Sequence, residues 1–121
     1  MFFAASNKPK KLLYMTFVEH VTAGELKRAV DDVKSLLLEL PSGFNLLVDC
    51  SRLDSMDLDC APEIGNVMEM NDKKGVSLIV RVIPDPQKDI GLGILTSFHY
   101  HHKPRVATCE TMAEAAELLS L

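Results

Sequence analysis

Between positions 49 and 63 the chain carries five carboxylates, Asp49, Asp54, Asp57, Asp59 and Glu63. That density of acidic oxygens could hold Mg²⁺ or share a proton in acid–base work. The spacing lacks the central glycine and distal glutamate of a calcium loop. Two milder roles compete: capping and turn formation at a helix start, and an acidic surface that meets a partner. Neither a catalytic nor a metal-binding role is expected of these residues, and no cofactor is expected.

A second constellation is His99, His101 and His102 beside Tyr100. Histidines three apart on a helix, as His99 and His102 are, can share one metal ion, but the sequence offers no evident third ligand. Cationic histidine near a helix C-terminus also suits the helix dipole. Ser51 and Ser55 lack a nucleophile elbow, and Cys109 has no activating neighbour in sequence. Cys50, Cys60 and Cys109 match neither a zinc knuckle nor a CxxC pair, so reduced thiols in the cytoplasm are expected.

Charge and length narrow the function classes. Thirteen basic and seventeen acidic residues give a net charge of -4, with no positive field to attract nucleic acid. Lys8, Lys10 and Lys11 read as solvated turn lysines around Pro9. No apolar run reaches the roughly 18 residues of a membrane span, and Met1 to Ala5 lacks the features of a secretory leader. With 121 residues, 47% hydrophobic and 25% charged, one folded domain spanning 1–121 is expected.

Several elements must position these residues. A strand-type run, Leu12 to Val21, follows the turn formers Asn7, Lys8 and Pro9, and Met1 to Ala5 can supply its hairpin partner. Thr22-Ala23-Gly24-Glu25 has the arrangement of a capping box, and Leu26, Ala29, Val30, Val33, Leu36, Leu37 and Leu40 recur at helical spacing behind it. Phe44 to Cys50 predicts a short strand that ends in a polar loop, Asp49 to Asp59, at the carboxyl end where open α/β sheets place their sites. Pro62 predicts the first turn of a helix closed by Gly75.

Val76 to Ile83, whose run Val76, Leu78, Ile79, Val80, Val82 and Ile83 is apolar on both faces apart from Arg81, predicts a central strand. A helix over 86–101 follows, with Pro86 in its first turn and Ile90, Ile94, Leu95 and Phe98 as its apolar stripe. Arg105 to Cys109 predicts a last strand, and Thr111-Met112-Ala113-Glu114 a second capping box before a terminal helix. The order is ββαβαβαβα: an α/β fold with a mixed sheet.

In that order, with Asp49 at a strand end and Met56-Asp57 following, the chain resembles the STAS family (sulfate transporter and anti-sigma factor antagonist domains), in particular its small SpoIIAA-like members. The resemblance covers nearly the whole chain, and Asp49, Met56 and Asp57 match the family's loop. It implies a non-enzymatic regulatory module that binds a protein partner. The contacting residues would be Asp49, Ser51, Asp54, Ser55, Met56, Asp57, Leu58 and Asp59. The family's phosphorylatable serine, directly after the Met-Asp pair, is Leu58 here, so a phosphorylation switch at that position is not expected. Asp59 then offers a fixed negative charge near the helix start. The alternatives are a carrier for a small apolar ligand under Ile90, Ile94 and Phe98, and a metal-dependent enzyme using the acidic loop. Self-association as a homodimer stays open.

Overall fold

The computed structural model describes residues 1–85, 87 and 89–121, with Asp89 and Ile90 described by backbone alone. The chain runs β1 (Phe2–Asn7), β2 (Leu12–Val21), α1 (Ala23–Leu38), β3 (Asn45–Met56), α2 (Cys60–Lys74), β4 (Leu78–Val82), α3 (Asp89–His99), β5 (Arg105–Cys109) and α4 (Met112–Leu118). Among the described residues the strands lie in the order β1-β2-β3-β4-β5. β1 pairs antiparallel with β2, and the other neighbours are parallel. This is the expected mixed α/β arrangement. Pro86, expected in the first turn of the third helix, lies outside the described residues.

Local chemistry accounts for the helix ends. Thr22 and Glu25 form the reciprocal capping box at α1: the Thr22 hydroxyl accepts from the Glu25 N–H, and the Glu25 carboxylate accepts from the Thr22 N–H at 2.9 Å. Those bonds, with the backbone contribution first, hold the Glu25 carboxyl below its ordinary range. At α4 Thr111 caps the Glu114 N–H, while the Glu114 carboxylate turns to the Thr111 hydroxyl. α2 closes on Gly75, left-handed at φ 94°, where an added Cβ would stand 2.4 Å from Ser42 Oγ.

Helix α1 presents Leu26, Val33 and Leu37 to the sheet. With Ile64, Val67 and Met68 of α2 they cover Leu13, Met15, Phe17, Leu46, Val48 and Ile79. Leu92 and Leu95 of α3 pack on the edge of the same cluster. On the other face Val80 and Val82 meet Ala115 of α4 and the following Leu119. β4 is thus covered on both faces, as its β-branched run predicted. No helix among the described residues is long and apolar enough to cross a membrane.

Two expectations are corrected. The segment after Asp49 is strand as far as Met56, with only Asp57 to Asp59 left as a turn. β4 stops pairing with β3 at Asp49, but β2 continues, so residues 52–56 keep their ladder on one side across two register irregularities. A strand paired on one side tolerates polar side chains; Leu53 is buried, Met56 packs partly buried against the core, and Arg52, Asp54 and Ser55 are exposed. The second correction is the rotation of α3. Ile94 and Phe98, expected in the inward stripe, are 64% and 75% exposed. Leu92, Leu95, Thr96 and His99 are the partly buried residues instead. The helix is apolar on both sides, so its periodicity alone leaves its rotation undetermined.

Candidate functional site

The end of β3, the turn 57–59 and the start of α2 form one wall of an open groove, and α3 forms the other. The groove has a volume of about 260 Å³ and is lined by Asp54, Ser55, Met56, Asp57 and Leu58 on one side and Gly91, Leu92 and Leu95 on the other. The turn is tied down from beneath: the Asp57 N–H donates to the Val21 carbonyl at 3.1 Å, and the Cys60 N–H to the Asp57 carbonyl at 3.0 Å. Leu58, at the tip, is 95% exposed.

His20, not singled out by sequence reasoning, organises this turn. Its ring contacts Ser55 Oγ through Nδ1 at 2.7 Å and Asp57 Oδ1 through Nε2 at 2.9 Å. The strand register makes His20 the partner of Ser55. The preceding Glu19 adopts φ 57° at a register irregularity, a left-handed conformation that costs a non-glycine residue about 1–2 kcal/mol. Such bulges re-aim the side chains that follow. His20 lies 35 and 37 residues from its partners, so no local motif could have disclosed the cluster.

The three residue types are those of a nucleophilic triad. Here the carboxylate is solvated: His20 and Asp57 are about half exposed, and the ion pair is worth at most about 1 kcal/mol in water. A triad works with a buried carboxylate that fixes the imidazole from behind. The two contacts tie Ser55 and Asp57 to the end of β2.

The remaining predicted contact residues fall in different places. Asp49 is 6% exposed, on the sheet face away from the groove; its carboxylate accepts from the Tyr14 hydroxyl at 3.2 Å and the Ser51 N–H at 2.9 Å. It is buried and does not line the groove. Burial, with the neighbouring Asp49 charge adding to it, pushes the Tyr14 phenol up. Ser51 is exposed but does not line the groove. Asp59 is exposed at the N-terminus of α2 and makes no side-chain cap. Cys60 is buried, its thiol pushed up by desolvation and donating to the Val21 carbonyl at 3.4 Å. The Cys109 thiol is likewise raised by burial.

The histidines separate. His99 lies 3.3 Å and His101 3.8 Å from Glu69, whereas His102 lies 2.9 Å from the buried Asp72. His99 and His102 therefore face different carboxylates. Among the described residues no three His, Cys, Asp or Glu side chains come together as a metal site.

Beneath α3 lies an apolar cavity of about 40 Å³, bordered by Leu92, Thr96 and Tyr100. Small-molecule pockets are typically about 300–1,000 Å³, so this space does not admit an acyl chain. Ile94 and Phe98 do not line it, and the Ile90 side chain lies outside the described residues.

The contact of α3 with α2 depends on Gly65. A Cβ there would stand 2.6 Å from His99 Nε2 and 2.8 Å from Cε1. Helix propensity alone favours alanine over glycine by about 1 kcal/mol. We expect Gly65→Ala to lower stability by about 1 kcal/mol in the wild type and to raise it by about 1 kcal/mol in a His99→Ala background. Urea denaturation of the mutant cycle checks this; the same sign in both backgrounds would show that the ring does not reserve the space.

No family model matches the sequence, and no curated protein matches it. Solved structures match across nearly the whole chain. An uncharacterized DUF3478-family protein with a SpoIIAA-like fold from Shewanella loihica PV-4 superposes with a TM-score of 0.76 at 13% identity, covering 98% of this chain and 93% of that one. The anti-sigma factor antagonist SpoIIAA in its unphosphorylated form gives 0.64 at 12% identity, covering 99% and 98%. The Bacillus cell fate determinant SpoIIAA in the phosphorylated form gives 0.64 at 11%, covering 98% and 99%. The protein has the SpoIIAA-like fold.

Proposed function

We propose that the protein is a non-enzymatic regulatory module of the cytoplasm that binds a protein partner through the end of β3, the turn 57–59 and the first turn of α2. The observation that carries this reading is Leu58: a large apolar side chain, 95% exposed, at the tip of a turn locked by the bonds from His20 to Ser55 and Asp57. An ordered, solvent-facing leucine on a rigid support is a pre-organised anchor, which lowers the ordering cost of association. SpoIIAA, which shares the fold, is an anti-sigma factor antagonist known in phosphorylated and unphosphorylated forms. Leucine has no hydroxyl to accept phosphate, so this module is not switched at residue 58. The three cysteines are buried thiols outside any disulfide, in keeping with a reducing compartment.

The test is quantitative affinity purification from native cells with wild type, Leu58→Ser, Asp57→Arg and, as a control on α4 across the sheet, the exposed Glu117→Ala. A genuine partner is expected to drop at least ~10-fold with Leu58→Ser and Asp57→Arg and to persist with the control, since truncating an anchor costs over 1 kcal/mol. Equal recovery with all four proteins would remove the reading.

A further inference from the structure

We infer that the groove between the turn 57–59 and α3 receives an amphipathic, positively charged segment of the partner. The inference rests on the docking reading above and adds the chemistry of the occupant. The groove floor is apolar, with Met56, Leu92 and Leu95, and its charged lining among the described residues is Asp54 and Asp57 with no lysine or arginine. His20 holds Asp57 at the rim through its Nε2.

The apolar surface does not stop at the groove. Gly91 and Leu95 line it, and Ile94 and Phe98 fall with them at the three- and four-residue steps that share one side of a helix. Ile94 and Phe98 are 64% and 75% exposed, so α3 continues the groove wall into an uncovered apolar stripe. A stripe of this length fits a helix laid along it by its own apolar side. Carboxylates at one end select positive charge on that helix and repel an acidic one.

The probes are a 14-residue amphipathic helical peptide of leucine and lysine and its leucine and glutamate counterpart, titrated by fluorescence anisotropy. The protein carries a net charge of -4, so a charge-matched control separates site from bulk attraction. The Asp54→Lys/Asp57→Lys variant changes the groove; Asp31→Lys/Asp32→Lys makes the same change on exposed positions of α1. Circular dichroism and melting temperature establish that both variants are folded.

The expected result is saturable binding of the lysine peptide, weakened at least ~10-fold by the groove variant and less than ~3-fold by the control, and no binding of the glutamate peptide. Equal binding of the two peptides, equal loss in the two variants, or no binding of the lysine peptide overturns the inference. So does a wild-type dimer that Leu58→Asp dissociates, which would make a second copy the occupant. If the lysine peptide fails while Leu58→Ser still loses a partner in affinity purification, the docking reading stands and only the charge of the occupant is wrong.

Discussion

Replacing Asp72 by alanine is expected to lower the free energy of unfolding by roughly 1–3 kcal/mol at neutral pH. Asp72 is 3% exposed, yet its carboxylate receives the His102 N–H at 3.1 Å and the His102 imidazole at 2.9 Å. Burial works to raise its pKa, but the backbone bond from His102, the imidazole and the backbone bond from His101 outweigh it, so the carboxyl sits below its ordinary 3.8. Alanine removes the acceptor of the backbone bonds and opens space in the interior, while the exposed His102 ring turns to water. A depressed carboxyl contributes stability that is complete above its unfolded pKa and is lost as pH falls through the folded one. The gap between wild type and Asp72→Ala should therefore be full at pH 7 and shrink below about pH 4. Urea denaturation at both pH values checks this; a gap that does not change with pH would mean that packing alone carries the effect. The site is implicated too, because the Asp72 bonds secure the segment directly after α3, and α3 is one wall of the groove.

Alkaline pH should weaken the fold through Tyr100. Its hydroxyl is buried beside Asn71, whose Nδ2 donates to it at 3.4 Å, and desolvation pushes the phenol up to about 12. The unfolded chain gives up this proton near pH 10, whereas the native chain keeps it. Unfolding therefore releases a proton between those values, and stability that is intact below pH 10 falls as pH rises toward 12. Two pH units correspond to roughly 2–3 kcal/mol. Tyr100→Phe, which has no proton to lose there, should show a correspondingly smaller decline between pH 9 and pH 12. Parallel declines for the two proteins in guanidinium titrations would place the alkaline sensitivity elsewhere.

Most of the architecture was legible because its signals are local. The capping residues Thr22 and Thr111, the stripe of α1, Pro62, Gly75 and the β-branched run around Ile79 each act within a few residues, so element order and type follow from them. The stop of β3 is not legible, because polar side chains after Cys50 do not end the backbone pairing. The backbone of residues 52–56 is satisfied by β2, which no property of those residues announces. The rotation of α3 is hidden for a related reason: Ile94, Phe98, Leu95 and Leu92 spread apolar side chains over more than half of the helix, so no polar side declares itself solvent-facing.

At the site the division is sharper. Asp54, Ser55, Met56, Asp57 and Leu58 were read from the sequence as contact residues, and the structure brings them together along one groove wall. Asp49 stands with them in the sequence because the resemblance places an aspartate at the strand end. Strand alternation puts it in register with Val82, on the opposite face, where it is bonded to Tyr14 and Ser51.

Composition, capping and periodicity by themselves determined an α/β chain with a leucine between two aspartates where a strand meets a helix. Only the tertiary structure decided that His20 locks that turn and that α3 walls it on the far side. Both depend on strand register and helix rotation, which are set by pairing and packing between residues tens of positions apart.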